Sequence, residues 1–107
     1  MTVLTLCVII RIGMIKSFKS KETEKIFNRE YSLKLPSDIQ RVALRKLLMI
    51  DSALTINDLR VPPANHLEQL KGGRQEQHSI RINEKWRVCF EWHNGDAYDI
   101  EIINYHK

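Results

Sequence analysis

The chain has 107 residues, 43% of them apolar and 28% charged, with a formal net charge of +4. That length and balance suit one soluble domain around one core and exclude fibrous, disordered or multi-domain chains. The cationic surplus favours a polyanionic partner, because binding releases counterions from phosphates, although many small basic domains bind no nucleic acid.

The two cysteines, Cys7 and Cys89, make neither a disulfide framework nor a C-x-x-C pair. A reducing cytoplasm is the expected compartment. Residues 1–10 (MTVLTLCVII) form an apolar run too short to span a bilayer. No Lys or Arg precedes the run and no small-x-small cleavage site follows it, so it is not read as a secretion signal. Residues 1–13 are either an extra edge strand, favoured by their β-branched content, or an extension upstream of a start at Met14. The second reading is preferred, because an exposed apolar run is an aggregation hazard. Residues 14–107 are expected to form a single domain.

Residues 14–18 (MIKSF) alternate and predict a short first strand. Ser20 is placed to cap a helix, with Glu22 and Glu24 in its first turn opposing the helix dipole. Ile26, Phe27 and Tyr31 would supply its apolar face, and the helix must end before Pro36. Ser37 followed by Gln40 has the spacing of a capping box. The helix it opens is predicted to run to about Ala53, with Ile39, Val42, Ala43, Leu47 and Ile50 inward and Arg41, Arg45 and Lys46 toward solvent. The two helices are expected to pair as an antiparallel hairpin. Residues 55–59 predict one helical turn, and 61–65 (VPPAN) a loop, because consecutive prolines block both helix and ladder bonds.

Strand patterns then dominate. Residues 66–70 are a short strand candidate, and Lys71-Gly72-Gly73-Arg74 turns the chain. Residues 77–82 alternate, with Ile80 and Ile82 on one face and Ser79 and Arg81 on the other. Residues 86–93 alternate cleanly: Trp86, Val88, Phe90 and Trp92 face one way, and Arg87, Cys89, Glu91 and His93 the other. Asn94-Gly95 is a strong hairpin signal. Residues 97–103 make the last strand, with Tyr98, Ile100 and Ile102 read as core-facing. The expected fold class is α+β: two N-terminal helices packed on one face of an antiparallel sheet.

If the apolar strand faces meet the helices, Arg81, Arg87, Cys89, Glu91 and His93 share the far side, with Lys71 and Arg74 at its rim. Such a surface suits phosphates. A solvated face with cross-strand ion pairs would show the same pattern. RNA cleavage without a metal needs a base for the ribose 2′-OH, cations for the crowded phosphate and an acid for the leaving 5′ oxygen. Arg87 and Lys71 are candidates for the cation role, aided by Arg81 and Arg74. Glu68, His66 and His106 are candidates for proton transfer, and Tyr105 for stacking on a base. His93 and Asn104 complete the candidate RNA contacts. The four histidines have no metal-ligand spacing, and Gly72-Gly73 is no nucleotide-cradling loop, so neither a metal nor a cofactor is expected.

In one order the chain carries MIKSFK at 14–19, LEQLKG at 67–72, SIRIN at 79–83, Trp86-Arg87, NGDAY at 94–98 and a terminal Tyr105-His106. In these pieces it resembles HigB-type toxins of the RelE superfamily, from type II toxin–antitoxin systems of the plasmid maintenance killer group. The resemblance spans residues 14–107. It implies a microbial RNase fold with a curved sheet, and a toxin that enters the ribosomal A site and cuts mRNA without a metal. The products would be a cyclic phosphate on the 3′ end and a free 5′-OH. The implied partners are a HigA-type helix-turn-helix antitoxin, the ribosome and its mRNA, and operator DNA only through the antitoxin complex; no membrane is implied. Lys71, Arg87, Tyr105 and His106 match the family's motif positions. Glu68 stands where some members have His, and Asn104 where some have Asp, which leaves the general base open between Glu68 and His106.

Overall fold

Ser20 opens the first helix in the computed structural model, which describes residues 14–70 and 77–104. Its hydroxyl accepts from the N–H groups of Glu22 at 3.2 Å and Thr23 at 3.3 Å, satisfying donors that a helix start leaves unpaired. This helix, α1, is Lys21–Phe27. It is shorter than the sequence pattern suggests, because Arg29 turns left-handed at φ 65° just after it. Tyr31 therefore leaves the helical phase and is 62% exposed rather than inward.

The expected capping box does not form. Helix α2, Ser37–Ser52, is preceded by Pro36 and has no side-chain cap bond. Gln40 folds back on the interhelical loop instead. Its Oε1 accepts from the Ser32 N–H at 3.1 Å, and its Nε2 donates to the carbonyls of Ser32 at 2.8 Å and Leu35 at 2.9 Å. The Ser32 carbonyl is buried and the Leu35 carbonyl part-buried, and they need donors more than the solvated helix end does.

Ile39, Ala43, Leu47 and Ile50 of α2 are buried as expected, but Lys46 is buried with them, 5% exposed. Its Nζ donates to Asn65 Oδ1 at 2.6 Å. Burial, with Arg45 nearby, holds its pKa below the usual lysine value. Asn65 is fully buried, and its Nδ2 donates to the carbonyls of Leu59 at 3.1 Å and Val61 at 3.4 Å. One side chain thus closes two short 3-10 turns, Ile56–Arg60 and Pro63–Asn65, against α2. The first is the helical turn expected there; the second lies inside the expected loop. Asp58 fixes the first turn by accepting from the N–H groups of Leu54 and Thr55, which lowers its pKa.

Four strands follow: β1 Glu68–Gln69, β2 Gln77–Arg81, β3 Trp86–His93 and β4 Asp96–Asn104. They pair antiparallel in the order β1-β2-β3-β4. Asn94 and Gly95 join β3 to β4 with φ of 53° and 85°, the left-handed pair that a two-residue hairpin requires. The expected first strand is not one. Its segment instead makes two isolated parallel bridges to the free edge of β4, Ile15 with Ala97 and Phe18 with Ile100, and so covers that edge.

Both helices contribute to one core. Ile26, Ile39, Ala43, Leu47 and Ile50 pack with Ile80, Val88, Phe90, Ile100 and Ile102. Thr23 Oγ1 accepts from the Ile102 N–H at 2.9 Å and pins α1 to β4. Tyr98 departs from the expected pattern. Glu91 pairs with Tyr98 but Cys89 pairs with Glu101, so β4 has one extra residue there. This β-bulge, with Asp99 at φ 55°, shifts the alternation and moves Tyr98 to the face away from the helices. Residues 1–13, with their two readings, lie outside the described residues.

The Asn65 knot yields a stability prediction. Asn65→Ala leaves a buried ammonium, the buried Leu59 carbonyl and the part-buried Val61 carbonyl without that partner, and should destabilise the protein by about 3 kcal/mol. Urea denaturation of wild type and variant measures this directly; a loss below a third of that would mean the knot relaxes onto water.

Candidate functional site

The polar strand face is organised by register. Glu68 lies opposite Ser79, Ser79 opposite Cys89, and Cys89 opposite Glu101. Beside this row Arg81 lies directly opposite Arg87. Gln77, Glu91 and Tyr98 form the next row on the other side, and His93 pairs with Asp96 at the hairpin. The expected company of Arg81, Arg87, Cys89, Glu91 and His93 on one face is therefore present.

Arg87 sits at its centre, only 6% exposed. Nε donates to Ser79 Oγ at 2.8 Å, and Nη2 to the carbonyls of His66 at 2.5 Å and Ser79 at 3.3 Å. Glu68 Oε1 lies 3.9 Å from Nη2 on a side chain 52% exposed. Among the described residues the guanidinium is thus aimed by neutral oxygens, with the exposed Glu68 carboxylate nearby. Arg81 is half-buried, and its Nε donates to the Asn83 carbonyl at 3.1 Å. Two like charges directly opposite across a strand pair are unfavourable, and an anion on this face would relieve that repulsion.

His66 contributes through its backbone. It ends the Pro63–Asn65 turn at φ 46° and ψ 57°, which turns its carbonyl to Arg87 while its ring side stays exposed. Ser79 was on the polar face by alternation, yet nothing in the strand pattern marked it as the residue that orients Arg87. Cys89 is buried in the same row, and burial pushes its thiol up to about 11 against the pull of Arg87. A thiol so protonated is no nucleophile at neutral pH.

Toward the hairpin, His93 Nε2 lies 3.1 Å from Glu91 Oε1, and the His93 ring meets Tyr98 edge-on with centroids 5.6 Å apart. Asn104 falls elsewhere: its register partner is Trp86, on the helix-bearing face. His78 also points to that side, stacked on Phe90. Lys71, Arg74, Tyr105 and His106 lie outside the described residues. Among the described residues no group of three or more His, Cys, Asp or Glu side chains is placed to hold a metal ion. No helix there is long and apolar enough to cross a membrane.

Residues 16–106 match the family model described as the RelE-like toxin of the type II toxin–antitoxin system HigB. The chain belongs to the HigB-like toxin family. It is 38% identical over 85 residues to Toxin HigB-1 of Vibrio cholerae, a match covering 78% of this chain and 90% of that protein. It is 37% identical over 94 residues to Endoribonuclease HigB of Proteus vulgaris, covering 87% of this chain and all of the relative. An uncharacterized protein of Haemophilus influenzae is 42% identical over 69 residues, covering 64% of this chain and 68% of that protein. As a HigB-like toxin the chain is one half of a toxin–antitoxin pair, and the family implies an antitoxin partner. The helices and antiparallel sheet described above agree with a RelE-like fold.

The Cys89 environment is open to a chemical test. With Cys7→Ser removing the other thiol, a thiol pKa raised from 9.0 to about 11 should slow native-state alkylation at pH 8 by about 100-fold from thiolate fraction alone. Iodoacetamide labelling followed by mass spectrometry reads this, with urea-unfolded protein as the reference; equal rates in both states would refute the buried placement.

Proposed function

We propose that this HigB-like toxin is an endoribonuclease that cuts mRNA in the ribosomal A site and so halts translation and growth. The observation that carries the reading is the Arg81–Arg87 cross-strand pair with Glu68 3.9 Å from the Arg87 guanidinium. It sets a buried and a half-buried cation beside an exposed carboxylate on one strand face. The relative from Proteus vulgaris, named as an endoribonuclease, supports the same chemistry.

The reaction follows from those groups. A base takes the proton from a ribose 2′-OH, and the oxygen attacks the adjacent phosphorus. The bond to the 5′ oxygen breaks, an acid protonates that oxygen, and a cyclic phosphate remains on the 3′ end. In this reading Arg87 stabilises the added negative charge, helped by Lys71, Arg74 and Arg81. Glu68, 3.9 Å from the Arg87 guanidinium, is the base, and His106 the acid. Tyr105 orients the nucleotide, with His66 and His93 as outer RNA contacts; Asn104, on the helix-bearing face, is not among them. No metal is needed, since side chains fill each role. A HigA-type antitoxin would neutralise the toxin, and the pair would bind operator DNA. The site of action is the cytoplasm.

A second reading has its own observation. Arg87 already donates to three protein oxygens, an arrangement equally suited to a structural clamp in a protein that binds RNA or ribosomes without cutting.

Cleavage of a defined mRNA on programmed ribosomes, mapped by primer extension, separates the two. Discrete new 5′ ends are expected with wild type, only when ribosomes are present. Glu68→Gln and His106→Ala should each lower the rate by at least about 100-fold, with unchanged thermal unfolding and antitoxin binding. Full cleavage by Glu68→Gln would move the base role to another group. Intact transcripts throughout, with translation still blocked, would establish the binding reading.

A further inference from the structure

The polar strand face carries a second construction, four residues along β3 from Arg87 and so about 13 Å away by strand rise. It consists of Glu91, His93 and Tyr98, with Asp99 at the rim, and it encloses a shallow pocket of about 300 Å³. Tyr98 is there because of the bulge. Without the extra residue, its side chain would point with Ile100 into the core. The bulge holds a non-glycine residue, Asp99, at φ 55°, a conformation that costs free energy. Ser17 steadies it by accepting from the Asp99 N–H at 2.9 Å.

The pocket wall is already set. Glu91 is a shielded carboxylate, its side chain 14% exposed, and its Oε1 lies 3.1 Å from His93 Nε2. The His93 ring in turn lies edge-on to Tyr98. A carboxylate orienting an imidazole resembles a proton-transfer pair, but about 13 Å is far beyond the reach of any group acting on a phosphate held by Arg87. A phosphate does not suit the pocket either, since Glu91 and Asp99 would repel it. What fits is a flat, uncharged ring whose edge donates hydrogen bonds.

We infer that Glu91, His93 and Tyr98 form a base-recognition subsite for a nucleotide flanking the cleaved one, with the base stacked on Tyr98 and an amino group on its edge held by Glu91. The inference rests on reading this face as the RNA surface, and it gives that surface a source of sequence preference separate from the reacting phosphate. Bases with an exocyclic amino group are the class selected.

The test uses the full-length protein and ribosomes programmed with a short mRNA. A 2′-deoxy sugar at the cleaved position blocks cutting, and one abasic nucleotide is moved through the message in turn. Wild type should lose affinity at one flanking position by roughly 5- to 100-fold, the scale of a lost stacking contact. Tyr98→Ala should bind the intact message correspondingly less well and be indifferent to the abasic site there, while Tyr98→Phe keeps the wild-type pattern. Tyr98→Leu, which fills the same space without a stacking plane, gives the same reading if the alanine variant folds poorly. Glu91→Gln should reorder the preferred bases at that position alone. Identical abasic profiles in wild type and Tyr98 variants overturn the inference, as does absence of any sensitive position or of any binding. An unchanged RNA profile with weakened antitoxin binding also overturns it, in favour of a pocket for a cationic protein side chain. If the abasic signature holds but unmodified mRNA is never cut, the subsite stands and the endonuclease reading falls.

Discussion

The burial of the Arg87 guanidinium is the constraint around which the strand face is built. Removing such a cation from water costs several kcal/mol unless its donors find good acceptors. Ser79 supplies two oxygens from the neighbouring strand, and His66 one from the chain entering β1. The three acceptors come from residues far apart in sequence, so β2, β3 and the 66–68 segment must all be in place before Arg87 is satisfied. The same bonds fix the direction of the guanidinium, and among the described residues Glu68 lies 3.9 Å from it.

His66 is not placed by β1, which is too short to define it. It is placed by Asn65, the preceding residue, whose side chain accepts from Lys46 and donates to Leu59 and Val61. Two buried cations therefore meet consecutive residues: Lys46 the side chain of Asn65, Arg87 the carbonyl of His66. Through that pair the position of α2 in the core is coupled to the aim of Arg87 on the opposite face of the sheet. Both cations are held by neutral oxygens at short range, an economical solution in a chain whose surplus is positive, because each carboxylate stays available for the surface.

Much of this was readable in the residues, and the failures share a cause. The alternation of residues 86–93, the Asn94-Gly95 turn and the Ser20 cap are local rules acting locally, and each formed as expected. Lys46 occupies the inward helical phase, three residues after Ala43 and four before Ile50. Its charge argued for solvent, and only the distant Asn65 overrides that. Gln40 was read as a cap and serves a loop, because the acceptor it satisfies lies in a segment whose path no local pattern dictates. Tyr98 was assigned to the core because period-two alternation was continued through a bulge that the sequence marks only by Asp99, a residue that tolerates positive φ without announcing it. On the polar face, the strand pattern grouped the residues that the register brings together but could not show that Ser79 and a backbone carbonyl of His66 orient Arg87.

The two faces of the sheet divide the energetics. On the helix side, Val88, Phe90, Ile100 and Ile102 provide apolar burial, the main favourable contribution to folding. On the other side the register places Arg81 against Arg87, which opposes folding. Selection for stability alone would separate those charges. The face keeps them adjacent, anchors one beneath the surface and bends a strand to add Tyr98. In the function proposed above, the ligand of that face is single-stranded RNA, anionic along its backbone and aromatic at its side groups, and the spacing between the arginine pair and the Tyr98 pocket separates the reacting phosphate from a base that is read.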